Sequence, residues 1–251
     1  MELNIFTCCN DKYTNFVPIF IFSHLFHNND SFVEVCWDIP ADENIYLSLD
    51  YLEKQYPGRF LVRSSLIDKL IHNGKIIKCN GGTNRFILVP FVKTKYIYIS
   101  DIDIICLQYN IKQTHIDNMN SNNLPYSNVV RKNSEPKRLT GLHFTPYDNY
   151  YPLPAIDDLL YALPYDEVFL YEVVKKKFPN FNYDSTFRPV HGIHASLHRN
   201  PLDDIGWGIT KSRKKQWGIF RETQEFKNFE NNATPFTLDL IKKIDAVVYE
   251  K

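Results

Sequence analysis

Two carboxylates separated by a single residue follow an apolar run, Tyr96-Ile-Tyr-Ile-Ser-Asp101-Ile-Asp103-Ile-Ile-Cys. On an extended chain, residues i and i+2 point to the same side. Left unpaired at the end of a buried strand, the two would repel each other and be costly to desolvate. A divalent cation removes both costs. Mg²⁺ and Mn²⁺ take oxygen ligands, typically one or two carboxylates together with phosphate oxygens of a substrate. The spacing therefore predicts a platform for a metal–diphosphate. A dense basic run, Trp207-Gly-Ile-Thr-Lys211-Ser-Arg213-Lys214-Lys215-Gln-Trp217, offers cations for a departing diphosphate or for anionic lipid headgroups. Three histidines crowd Arg188-Pro-Val-His191-Gly-Ile-His194-Ala-Ser-Leu-His198-Arg199, and a neutral imidazole suits Mn²⁺.

The elements that must position these groups alternate in the first hundred residues. Leu3–Cys9 reads as a buried strand closed by Asn10-Asp11. Thr14–His27 has helical spacing, with Thr14 able to cap it and Pro18 tolerated in the first turn. Ser31–Asp38 is a second strand, Asn44–Gln55 a helix and Arg59–Arg63 a third strand. Thr83–Val92 is expected to be helical, and Tyr96–Ser100 is the strand that carries the carboxylates. This order predicts an α/β fold with a mostly parallel central sheet flanked by helices. Ligands of such sheets bind outside the carboxyl ends of the strands, here Asn10–Tyr13, Arg63–Ser65 and Ser100–Asp103. Farther on, the Asn-rich stretch Gln113–Asn133 reads as an exposed loop or lid, and Tyr147–Pro154 as an ordered aromatic loop. Tyr165–Lys177 and Phe236–Val248 have helical patterns. No repeat or long linker divides the chain, so residues 1–251 are read as one domain. Residues 1–110 carry the expected metal–diphosphate platform, and 111–251 make up the less regular second half.

Composition sets limits. The 251 residues carry 29 acidic and 29 basic side chains, and this balance supplies no general field for nucleic acid. Cys8, Cys9, Cys36, Cys79 and Cys106 include no CxxC pair, which favours buried free thiols in a reducing cytoplasm. The first residues lack the basic start and apolar stretch of a signal peptide. A soluble cytoplasmic protein is expected, with peripheral contact at the inner face of the cytoplasmic membrane as the alternative placement.

Several segments, in order, resemble the GT-A class of glycosyltransferases and, within it, the family-8-like bacterial enzymes. FTCCNDKYTNFVPIFIFSHL is similar to that family's opening strand, nucleotide-binding turn and first helix. NRFILVPFVKTKYIYISDIDIIC is similar to its run from an arginine-bearing helix into the metal-binding strand, and Asp166-Glu167-Val-Phe-Leu to the acidic helix start near the acceptor. The resemblance implies that Thr7, Asn10, Asp11 and Tyr13 lie around the donor's base and ribose. It gives Arg85 to the donor sugar or diphosphate, Asp103 to the metal, and Asp101 to metal or ribose. It also implies a histidine as third ligand of Mn²⁺ or Mg²⁺, either His194 or His191. The glycine and lysine that come after that histidine in the family are missing at their usual spacing. Asp166 or Glu167 would position the acceptor hydroxyl or steady a cationic sugar, and Lys211 would face the diphosphate.

The function these residues imply is sugar transfer from a nucleotide-sugar donor, expected to be a UDP-sugar. The acceptor would be a glycan or a lipid-linked species in bacterial surface polysaccharide synthesis, with retained configuration if the family-8 pattern holds. Three rivals compete with it. A zinc hydrolase on His191, His194 and His198 lacks the HExxH glutamate. A nucleotidyltransferase would want a glycine-rich basic loop after the first strand. A non-catalytic nucleotide-sugar-binding protein of the same fold would not need both aspartates. The sequence leaves the oligomeric state open.

Overall fold

The computed structural model describes residues 1–37, 43–64, 70–72, 75–77, 81–131, 134–160, 165–180, 191–201 and 206–249. Asp38, Ser65, Cys79, Asn133 and Arg188 lie outside them. The chain opens with β1 (Leu3–Cys9), a 3-10 turn (Asp11–Phe16), α1 (Val17–His27), β2 (Ser31–Trp37), α2 (Glu43–Gln55) and β3 (Phe60–Ser64). A small antiparallel pair, β4 (Leu70–His72) and β5 (Lys75–Ile77), precedes α3 (Gly81–Asn84), β6 (Tyr96–Ile99) and β7 (Ile104–Cys106). Then come α4 (Ile111–Asn122), β8 (His143–Pro146), α5 (Tyr147–Tyr150), α6 (Asp157–Leu160), α7 (Asp166–Lys177) and β9 (Gly192–His194). Three helices end the chain: α8 (Lys211–Arg221), α9 (Gln224–Glu230) and α10 (Pro235–Tyr249).

The central sheet has five strands in the order β3-β2-β1-β6-β8. All neighbours run parallel except β8, which closes one edge antiparallel to β6. Both faces are covered, which explains why β1 and β2 read as nearly unbroken apolar runs. Leu3, Ile5, Val33, Val35 and Tyr98 pack on one side with α1, α2 and the α8–α10 helices. Phe6, Cys8, Cys36, Ile97 and Ile99 pack on the other with α7. The register then fixes where chemistry can occur. Leu3 pairs with Tyr96 and Phe6 with Ile99, so β6 ends level with the middle of β1 and Ser100–Asp103 emerges beside Thr7–Asn10.

Three expectations need correction. Of the predicted Thr83–Val92 helix only Thr83 and Asn84 are helical, as the end of α3 (Gly81–Asn84). Buried Glu34 of β2 accepts hydrogen bonds from the Phe91 and Val92 amides at 2.8 and 3.0 Å, and from Arg63 Nε at 2.8 Å. Those amides are thereby withdrawn from any helical ladder, and Pro90 has none to give. About the first half of the predicted Gln113–Asn133 loop, Gln113–Asn122, is helix α4. Its inward stripe includes buried His115 and Asn118, polar residues satisfied by Ser127. An apolar period does not reveal such a stripe. The basic run forms a helix: Lys211–Arg221 is α8, its start capped by Thr210 and its Trp217 fully buried against Asp245, 2.7 Å away. The aromatic stretch after β8 opens with the single turn α5, and Thr14 falls inside the 3-10 turn, donating to Asp11 O. No helix of the described residues is long and apolar enough to cross a membrane.

Candidate metal centre

The turn between β6 and β7 is tied down on both sides. Thr7 Oγ1 donates to Ser100 O at 2.8 Å, and Ala195 N donates to Asp103 O at 2.8 Å. The second bond continues the antiparallel ladder of β7 with β9, in which Ile104 pairs with His194. Gly192 permits that ladder, because a Cβ there would lie 1.8 Å from the carbonyl oxygen of Ile105. The result brings His194 Nε2 to 3.1 Å from Asp103 Oδ1. One ligand atom from each of Asp101, Asp103 and His194 falls within 4.8 Å of the others.

The donor set fits a hard divalent ion. Ligands about 2.1 Å from an octahedral centre stand roughly 3 Å apart when adjacent, close to the Asp103–His194 spacing. Two oxygens and one imidazole are a set that Mn²⁺ accepts readily. Burial lifts the Asp101 carboxyl above its ordinary range; the Arg85 guanidinium opposes this and the Asp103 charge adds to it. At His194, burial pulls downward, but the hydrogen bond and charge of Asp103 and the charge of Asp101 leave the imidazole above its ordinary value. At His194 the upward shift comes from the two neighbouring carboxylates, whose charge a cation would also meet.

Arg85 braces the cluster from behind. Its side chain is 7% exposed, and Nη2 lies 2.7 Å from Asp101 Oδ1 and 2.9 Å from Asp166 Oδ2. Two glycines make room for this triad. A Cβ on Gly141 would stand 2.7 Å from Arg85 Nη2 and 3.1 Å from both Asp101 oxygens, and one on Gly82 would stand 3.1 Å from Asp166 Oδ2. Sequence reasoning found Arg85, Asp101 and Asp166 but not the glycines, whose only sequence signal is being glycine.

A cavity of about 260 Å³ opens over the cluster, lined by Cys8, Cys9, Asn10, Tyr13, Gly82, Arg85, Asp101, Ile102, Asp103, His194 and Ser196. Its floor and walls thus come from the carboxyl ends of β1 and β6 and from β9. Burial raises the Tyr13 phenol, with Asp103 and Asp101 adding to the effect. Other candidates lie elsewhere. Thr7 is fully buried and spent on Ser100, while Asp11 is exposed and caps the Lys12 amide. Glu167 is held by Arg131 at 3.0 Å and Arg138 at 3.4 Å and does not line the cavity. Lys211 is exposed on the first turn of α8, also outside the lining. His191 is buried, with its ring 2.6 Å from Gln108 Oε1 and 2.7 Å from His115 Nε2, so it does not join the cluster. His198 is exposed, and the three histidines therefore occupy three separate environments. Cys8, Cys9, Cys36 and Cys106 are free and buried.

No protein-family model and no curated protein sequence matches the chain. Among solved structures, it is similar to an active-site mutant of LgtC, with a TM-score of 0.53 at 11% identity over 90% of this chain and 99% of that one. It is also similar to WbbM, a bifunctional glycosyltransferase solved without ligand, with a TM-score of 0.52 at 13% identity. That match takes in 96% of this chain but only 51% of WbbM, so the chain spans about half of that protein. The mostly parallel sheet, the helices on both faces and these likenesses agree: the chain has the GT-A fold of glycosyltransferases.

Proposed function

We propose that this chain is a metal-dependent glycosyltransferase that takes its sugar from a UDP-sugar. The observation that carries the reading is the convergence of Asp101, Asp103 and His194 on one cavity at the carboxyl ends of β1 and β6. Asp103 and His194 would hold Mn²⁺ or Mg²⁺ directly, with Asp101 completing the set or meeting the ribose. The ion supplies Lewis-acid stabilisation of the charge that grows on the leaving nucleoside diphosphate. Tyr13 and Asn10, on the cavity wall, suit the donor base and ribose, with the phenol face offered for stacking. Arg85, committed to two carboxylates, orients Asp101 and keeps its charge beside the donor sugar.

Transfer with retained configuration is the better-supported course. An inverting enzyme needs a free general base beside the acceptor hydroxyl. Asp166 is paired with Arg85, and Glu167 with two arginines outside the cavity lining, so neither carboxylate is free to serve as that base. A fixed carboxylate steadies an oxocarbenium-like sugar and orients the incoming hydroxyl. For the acceptor we favour a glycan or a lipid-linked species of bacterial surface polysaccharide synthesis. The richness in Asn, Lys, Ile, Phe and Tyr points to an AT-rich bacterial genome.

The test is calorimetric titration of UDP into the protein with and without Mn²⁺, repeated on Asp103→Ala. Binding that needs both the ion and Asp103 is the expected outcome, with slow hydrolysis of one UDP-sugar from a panel. Metal-independent binding would remove the role given to Asp103, and absence of binding to any nucleotide would sink the reading.

A further inference from the structure

A continuous chain of hydrogen bonds, buried at its two histidines, joins α4 to the residue before β9. Asn118 Nδ2 donates to Ser127 Oγ at 2.9 Å, and the same oxygen lies 2.7 Å from His115 Nδ1. In the tautomer that satisfies every link, the hydroxyl donates to Nδ1 and His115 carries its proton on Nε2, which faces His191 Nε2 at 2.7 Å. His191 in turn carries its proton on Nδ1 and donates to Gln108 Oε1 at 2.6 Å. Gln108 Nε2 donates to Thr114 Oγ1 at 3.1 Å, and Thr114 donates to Asn110 O at 3.2 Å. His115 and His191 are 0% and 2% exposed, so each of these bonds is costly to leave unmade. The His115 ring also stacks on Phe144, with centroids 4.6 Å apart and planes 7° from parallel.

Every member of this chain except His191 lies between Gln108 and Ser127, on α4 or beside it, whereas His191 immediately precedes the strand that delivers His194. That strand is held by a short ladder: the pairs Ile104–His194, Ile105–Ile193 and Cys106–Gly192, with one further backbone bond at each end, Ala195 N to Asp103 O and Leu107 N to His191 O. Apolar matching specifies so short a ladder weakly. A slip of one residue would turn His194 to the other face, and a slip of two would carry it roughly 7 Å from Asp103. We infer that the His115–His191–Gln108 chain is a register lock, through which helix α4 sets the position of the candidate metal ligand His194. His115, His191 and Gln108 are accordingly positioning residues. The inference rests on the metal-site reading proposed for Asp101, Asp103 and His194.

Mn²⁺ itself is the probe, read by electron paramagnetic resonance for affinity and for nitrogen coupling from a bound imidazole. The wild-type chain should show that coupling, and His194→Ala should lose it. His115→Leu, which fills the space but donates nothing, should weaken Mn²⁺ binding by ~10-fold or more and lose the coupling. His115→Gln, which restores a donor to His191, should keep both. A folded His115→Leu with wild-type affinity and coupling overturns the lock. So does equal loss in the Leu and Gln variants, since that is what mere packing would give. If His115→Leu does not fold, Ser127→Ala decides in its place: it removes the donor to His115 and should weaken binding in the same sense, and an unchanged affinity overturns the lock. Failure of the wild-type chain to bind Mn²⁺ would instead remove the metal site itself.

Discussion

Gly141 shows how much of a site can depend on a missing side chain. The Arg85–Asp101 pair fills the space where its Cβ would stand, 2.7 Å from the guanidinium. Gly141→Ala must therefore push either Arg85 or Asp101 aside. We expect Mn²⁺ affinity to fall about 10-fold with a stability loss of about 1–3 kcal/mol, measured by paramagnetic titration and urea unfolding. Wild-type affinity in that variant would mean that Asp101 does not need its brace. At this scale the two aspartates were legible from their type and their place just after an apolar strand, but the expected extended alternation does not hold: Asp101 and Asp103 sit in the turn between β6 and β7, and the turn brings them together. His194 could be told from His191 only after folding, since the difference lies in which ring meets Asp103 and which meets Gln108 and His115. Gly82 and Gly141 were not legible at all, because space reserved for another side chain leaves no pattern in the sequence.

Among the elements, α8 departs most from what its composition suggests. Its lysines and arginines read as a source of cations, yet the helix is anchored by Trp217, which is fully buried and donates to Asp245. Arg213 is drawn onto the Gly208 carbonyl and Lys214 onto Val247 O at 2.6 Å. Trp217→Ala should cost about 3–5 kcal/mol of stability, whereas Lys211→Ala should stay within about 0.5 kcal/mol. Chemical denaturation of the two variants side by side checks this; equal effects would show that α8 is not anchored as described. Helix α4 carries the complementary lesson. Its buried positions include a histidine and an asparagine, so the period that marks a helix was present but written in polar residues. The segment before β6 failed for a different reason: Glu34, distant in the sequence, takes the amides that a helix would have used.

For the molecule as a whole, buried histidines govern the response to acid. Burial holds His24 and His27 down to about 4, and His143 and His191 down to about 3. An unfolded histidine titrates near 6.5, so below that value the unfolded chain binds protons that the fold refuses. Stability is thus full above about pH 6.5 and is lost as pH falls toward the folded values. Each histidine can contribute up to ~1.4 kcal/mol per pH unit in that window. Four together are large against a usual net stability of about 5–15 kcal/mol. Urea midpoints measured from pH 7.5 to 5 should decline steeply, and a flat profile would show that these rings are not held neutral. The parallel order of the sheet was readable from alternating elements. The antiparallel edge strand β8 was not, because nothing local distinguishes it from a loop beside Tyr147.

The aromatic contacts that join distant parts of the sheet's α1 side have a consequence during synthesis. Phe22 of α1 stacks on Phe229 at 4.2 Å and on Phe220 at 5.5 Å, and both partners are translated about 200 residues later. At ~5–20 residues per second, the ribosome exposes the apolar face of α1 for roughly 10–40 s before its cover exists. Throughout that interval the part of α1 that faces α8 and α9 stays without those partners. Codon changes that slow elongation between α1 and α8 should therefore lower the soluble yield without altering a single residue of the finished protein.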